Sequence, residues 1–198
     1  GTDCYSAIGA AIGSLKGRKH GGANERVVGM MDDLFSSLGS RARDGAVSEG
    51  EVADYLRGLL RRERYDGQGL IYGIGHAVYT LSDPRARILK SHAEVLAEAE
   101  GQAGAFRVYR MVEELAPKLL AEERKLPRPV AANVDFYSGF VYRMLGIPDH
   151  LFTPIFAVSR SAGWAAHLLE ELHSGGRIIR PAYRHVGEER HYFPLNRR

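Results

Sequence analysis

The sequence predicts an all-α protein, on three observations. Apolar residues recur at three- and four-residue spacing in nearly every segment, and capping residues stand at the heads of those segments. No run alternates apolar and polar residues as a half-buried strand would. Thr2 or Asp3 caps the first helix, in which Ile8, Ala11, Ile12 and Leu15 repeat at helical spacing. Its Ser6, Gly9, Ala10 and Gly13 are small and suit close helix packing, so this apolar segment needs a partner surface. Asn24 is placed to cap a second helix, with Val27, Val28, Met31, Leu34, Phe35 and Leu38 on one stripe and Gly39 at its end. Ser48 and Glu51 have capping-box spacing ahead of Val52, Tyr55, Leu56, Leu59 and Leu60. Asp83 and Pro84 form an N-cap and first-turn pair for a helix that turns Ile88, Leu89, Ala93 and Leu96 inward. A further helix is expected over about 105–123 with a kink at Pro117, then a shorter one ending near Gly146. Thr153–Pro154 opens or re-caps a last, long helix. Segment 69–79, GLIYGIGHAVY, is the one strand candidate, and its glycines argue for turns instead.

Composition narrows the function classes. Hydrophobic content of 44% and charged content of 26% are those of a soluble globular protein with a real core. No apolar run reaches the length that spans a bilayer, and no signal-peptide pattern opens the chain. The sole cysteine, Cys4, cannot form an internal disulfide, which points to a reducing cytoplasm, and it reads as a packed helix residue. The net charge of +3 is spread along the chain, with no basic stripe interleaved with stacking aromatics, which argues against nucleic acid. The 8 histidines show no metal-ligand spacing and no cysteine pair exists, so no metal is expected. No serine sits in a nucleophile elbow.

Three loops concentrate the unusual chemistry: 15–24 (LKGRKHGGAN), 65–85 (YDGQGLIYGIGHAVYTLSDPR) and 125–139 (KLPRPVAANVDFYSG). Each carries a titratable group at or just before a helix start: His20, His76 and Asp135. Beside a helix N-terminus a neutral, hydrogen-bond-donating imidazole is favoured over the imidazolium, which suits His20. Gly73 and Gly75 strip side chains from around His76 and bare backbone N–H groups that a ligand could contact. Taken singly, each has an ordinary reading that fits it better: a loop histidine, a tight turn with a surface histidine, an N-cap aspartate. The functional reading makes Asp135 a general base. GIGHAV is half of a dinucleotide fingerprint at best, lacking its third glycine and its strand–helix–acid context. Arg85 and Arg160 stand among small or apolar residues, and Arg177, Arg180 and Arg184 follow the last helix. Converging arginines would offer bidentate forks to a di- or tricarboxylate.

Taken together, KHGGANERV, GIGHAVYTLSDPRA, NVDFYSGFVYRMLGIP and FAVSRSAGWAAHLLE…RIIRP resemble the citrate synthase family, in the same order and over nearly the whole chain. The resemblance implies a multi-helical fold and the C-terminal half of such an enzyme, with a missing N-terminal half as its partner. It implies residues 1–23 and 147–198 as parts of a large domain and 24–146 as a small, mobile one. It implies His20, His76 and Asp135 as the catalytic trio, and Arg85, Arg160 and Arg180 as carboxylate-binding residues, Arg180 entering from the partner of a homodimer. The strip Leu70, Ile71, Gly73 and Gly75 is implied to contact coenzyme A through its backbone. The implied reaction condenses acetyl-CoA with oxaloacetate and needs no separate cofactor; propionyl-CoA, giving 2-methylcitrate, is the alternative, as is a non-catalytic coenzyme A-binding module. Thr80 departs from the family, standing where many members carry a basic residue for coenzyme A phosphates. Lys16, Arg18, Lys19 and Arg128 are candidates to replace it.

Overall fold

The computed structural model describes residues 2–17, 20–126, 128–176, 178, 180–182, 184, 186–188 and 191–197. Arg18, Lys19 and Arg177 lie outside the described residues. The described residues form eight α-helices: α1 (Cys4–Leu15), α2 (Ala23–Leu38), α3 (Ser40–Arg43), α4 (Glu49–Leu60), α5 (Pro84–Ala99), α6 (Ala103–Arg124), α7 (Asp135–Met144) and α8 (Phe152–Ser174). Short 3-10 turns cover Asp149–Leu151 and Leu195–Arg197. Segment 69–79 is turns and coil, as its glycines require, and touches the chain ahead of α7 through one antiparallel bridge, Ile74 to Ala132. No helix among the described residues is long and apolar enough to cross a membrane.

Local chemistry sets the starts of α1, α4 and α5. The Asp3 carboxylate accepts the Ser6 N–H at 2.9 Å and caps α1. Ser48 and Glu51 close a full capping box on α4. Asp83 caps α5, with Pro84 in its first turn. Three expectations are corrected. Helix α2 starts at Ala23 with Gly22 at the cap, because Asn24 is buried within the first turn, where its Oδ1 accepts the Glu25 N–H. Ile88 is exposed: Ala86, Ala93 and Ala97 line the buried face of α5, and Ile88 lies about 200° round the helix from Ala86. Cys4 is exposed on α1 rather than packed. Helix α6 continues through Pro117, and the single-turn α3 has too few residues to show a period.

The core is one apolar cluster built by α2, α4, α6 and α7. Val27, Met31 and Leu34 of α2 meet Leu56 and Leu59 of α4, Val108 and Val112 of α6, and Phe136 and Tyr137 of α7 there. Helix α5 lies across α6 and α7. Helices α1 and α8 pack on each other and stand apart from this core. Each buries one hydrophobic side chain, Leu15 and Phe152, and leaves Tyr5, Ile12, Val158, Leu169 and Leu172 exposed. The pair is joined to the core where Thr153 Oγ1 donates to the Gly21 carbonyl at 2.8 Å and Phe152 enters beside α7.

Gly139 makes that junction possible. A methyl group on it would stand 2.4 Å from Val28 Cγ2 and 3.2 Å from both the Asn24 carbonyl and Phe152 Cε2. Alanine in a helix interior gains about 1 kcal/mol over glycine, but Val28 is β-branched and fully buried and cannot step aside. Gly139→Ala is therefore expected to cost about 1–3 kcal/mol net and to lower the thermal midpoint. A raised midpoint would show that the junction has room.

Candidate active site

The fold brings three of the sequence-predicted elements to one place: the His20 turn ahead of α2, the His76 loop ahead of α5 and the start of α7. Asp135 is their common neighbour, since its charge feels His20, Arg85, Asp83 and His76. It is not the cap of its own helix. Val134 holds that position, and the N–H of Asp135 donates to Asn133 Oδ1 at 3.0 Å. The carboxylate thus stays free of helix duty, and no described residue donates a hydrogen bond to it. Burial raises its pKa above the ordinary aspartate value, Asp83 adds to the rise, and His20, Arg85 and His76 oppose it.

Backbone amides fix one edge of the His76 ring. The N–H groups of Val78 and Tyr79 both donate to its Nδ1, at 2.9 and 3.1 Å. Two donors at Nδ1 need a lone pair there, so the neutral ring carries its proton on Nε2. Nη2 of Arg85 lies 3.2 Å from Nε2. With Nε2 protonated, an oxygen atom placed beside this pair, anionic or carbonyl, would accept from both. Tyr79 supports both, its ring 4.9 Å from the His76 ring and 5.7 Å from the Arg85 guanidinium.

Arg85 is itself held by Asp83, which is 1% exposed. The guanidinium donates through Nε at 3.0 Å and Nη2 at 2.8 Å, and the Arg85 N–H adds a third bond at 3.0 Å. These bonds hold the Asp83 carboxyl below the ordinary aspartate range against its burial. Sequence reading identified Asp83 as a cap and missed its second task. The signal was present in Asp-Pro-Arg, where a cap and a cation two residues on share the first turn.

His20 is exposed, and its ring meets the edge of Phe156 at 5.8 Å between centroids. The guanidinium of Arg160 covers the same phenyl ring at 4.8 Å. Phe156, which the sequence did not single out, thus links a histidine of the first loop to an arginine of α8. Arg180 is exposed beyond α8 and forms no ion pair among the described residues. Of the strip ahead of His76, Leu70 is exposed and Ile71 belongs to the core. Gly73 has φ +79°, and a methyl group on it would stand 2.8 Å from Val27 Cγ2 and 2.9 Å from Phe136 Cδ2, so packing alone demands glycine. Gly75, at φ +103°, faces open space. Room for a ligand beside His76 thus comes from Gly75. Lys16 and Arg128 are exposed, and no group of three or more His, Cys, Asp or Glu among the described residues could hold a metal ion.

The family model for the citrate synthase C-terminal domain matches residues 1–182. Citrate synthase 2 of Bacillus subtilis is 40% identical over 198 residues, all of this chain and 46% of that protein. The 2-methylcitrate synthase of Shewanella oneidensis is 39% identical over 94% of this chain and 43% of its own. Among solved structures, the ternary complex of carboxymethyl coenzyme A and oxaloacetate with citrate synthase from Thermoplasma acidophilum aligns with a TM-score of 0.74 at 30% identity, covering 99% of this chain and 47% of that one. The chain spans under half the length of these curated relatives.

The two aspartates should respond oppositely to neutralisation. Asp135 has a raised folded pKa, so its ionised form detracts from stability above the ordinary aspartate pKa, and the penalty fades as pH falls through the folded value. Asp83 has a lowered folded pKa, so its contribution is present above the ordinary pKa and is lost as pH falls through the folded value. Thermal denaturation at neutral pH should show Asp83→Asn clearly less stable than the parent and Asp135→Asn no less stable, the two differences shrinking in acid. A large loss for Asp135→Asn at neutral pH would contradict the assignment.

Proposed function

The chain belongs to the citrate synthase family, and we propose that it carries the acid–base half of a Claisen-type condensation between acetyl-CoA and oxaloacetate. The reading rests on one observation, the desolvated carboxylate of Asp135, which accepts no hydrogen bond from a described residue and lies within the charge field of two histidines and of Arg85. Abstraction of a proton from a thioester methyl group needs a base of raised pKa and a donor at the oxygen that gains charge. Asp135 takes the proton, and His20 donates to the thioester oxygen. The electron pair of the broken C–H bond forms the new C–C bond at the ketone carbon of oxaloacetate. The ketone π pair moves to its oxygen, which takes the Nε2 proton of His76. Arg85 and Arg160 hold the carboxylates and orient the keto carbon. Water then cleaves the C–S bond, releasing citrate and the coenzyme A thiol. As members of one family, the synthases act as transferases, and this chain is proposed to do so together with the portion that its relatives carry beyond the matched half. A homodimer in which Arg180 reaches the partner's site is part of the proposal; the exposed Arg180 and the uncovered apolar residues of α1 and α8 support it.

The likeness to a 2-methylcitrate synthase keeps propionyl-CoA as the second reading. The two thioesters differ by one methylene, which a pocket separates by about 1–3 kcal/mol. Thiol release should be followed with each thioester and oxaloacetate, using the chain alone and the chain supplemented with the N-terminal portion of a citrate synthase. Asp135→Asn is expected to lower turnover by about 10²–10⁴-fold, with acetyl-CoA the faster substrate. Faster propionyl-CoA would select the second reading. Absence of turnover in every arrangement, with coenzyme A still bound, would leave a binding module.

A further inference from the structure

The His76 loop and the start of α7 are separate in sequence and meet through a short strip of backbone joined by two hydrogen bonds. Gly75 N–H donates to the Ala131 carbonyl at 2.8 Å, Asn133 N–H donates to the Gly73 carbonyl at 2.9 Å, and Ile74 bridges Ala132. One side chain spans both partners. Asn133 Nδ2 donates to the Gly75 carbonyl at 2.8 Å, while its Oδ1 accepts the Asp135 N–H at 3.0 Å. The two ends of a single amide are thus fixed to the residue before His76 and to the residue that carries the free carboxylate. We infer that Asn133 is a positioning residue that sets the distance between the ketone-protonating imidazole and the proton-abstracting carboxylate.

The chemistry singles out asparagine. Only an amide offers a donor and an acceptor on one short, rigid fork. Serine can supply the acceptor to the α7 N–H groups but is too short to reach the Gly75 carbonyl as well. Aspartate would supply the acceptor and face that carbonyl with a second one. Asn133→Ser therefore separates capping of α7 from attachment of the His76 loop. The inference rests on the condensation reading for its catalytic meaning, but the attachment itself can be read without turnover.

Hydrogen exchange on the chain provides that reading. In Asn133→Ser the amides of Gly75, Val78 and Tyr79 should exchange about tenfold faster or more, because local opening no longer breaks the side-chain tether, while Phe140 and Val141 within α7 keep their rates. Unchanged exchange at the three loop amides, or an equal rise within α7, would overturn the inference and leave Asn133 a helix cap. In the assembled enzyme, condensation should fall about 10²-fold, the loss expected from a misplacement on the order of 1 Å. Exchange of the thioester methyl protons with solvent, which uses Asp135 and His20 but not His76, should fall less than tenfold. Equal losses in both would also overturn it. If the parent enzyme neither condenses nor exchanges methyl protons, the functional reading fails, and the amide data still decide the attachment.

Discussion

The site depends on the pairing of the Gly73–Gly75 backbone with residues 131–133. That pairing fixes His76, and through it the direction of Nε2, relative to a helix that begins almost sixty residues later. Gly73 must be glycine there because its left-handed backbone lies against Val27 and Phe136, so the pairing is itself pressed into the hydrophobic core. A histidine held by the N–H groups of Val78 and Tyr79 needs no carboxylate to orient it. The nearby carboxylates are therefore free for other tasks.

Those tasks are divided by environment. Asp83 and Asp135 are the same residue type a short distance apart, close enough for one to raise the pKa of the other. Asp83 gains three hydrogen bonds from Arg85 and stays ionised to anchor it. Asp135 gains none and is left as the basic one of the two. One local fold thus pushes two like groups in opposite directions, one held ionised as an anchor and the other left with a raised pKa. The same division keeps Arg85 in place with one face on Asp83 while Nη2 points at the His76 ring.

Much of this was legible in the chain. The caps at Asp3, Ser48 and Asp83 follow from side-chain oxygens placed before apolar periods, and the structure uses them as such. Asn24 misled because a capping residue type two residues into a helix can instead be buried within the first turn, which only tertiary packing decides. Ile88 misled because alanines, which carry little periodic signal, line the buried face of α5. His76, Arg85 and Asp135 stood out by their company of glycines, proline and helix starts. Asn133, Tyr79 and Phe156 did not, because their value lies in contacts with residues distant in sequence or in ring geometry that no local pattern encodes. The freedom of the Asp135 carboxylate was likewise hidden, since an aspartate at a helix start reads first as its cap.

The most direct test of this account is the tautomer of His76, observed by nitrogen NMR of the histidine-labelled chain with His76→Gln as the assignment control. The neutral ring is expected to carry its proton on Nε2, with Nδ1 showing the shift of a hydrogen-bond acceptor. A proton on Nδ1 would mean that the Val78 and Tyr79 amides do not hold the ring, and the pair of donors at Nε2 and Arg85 would not exist.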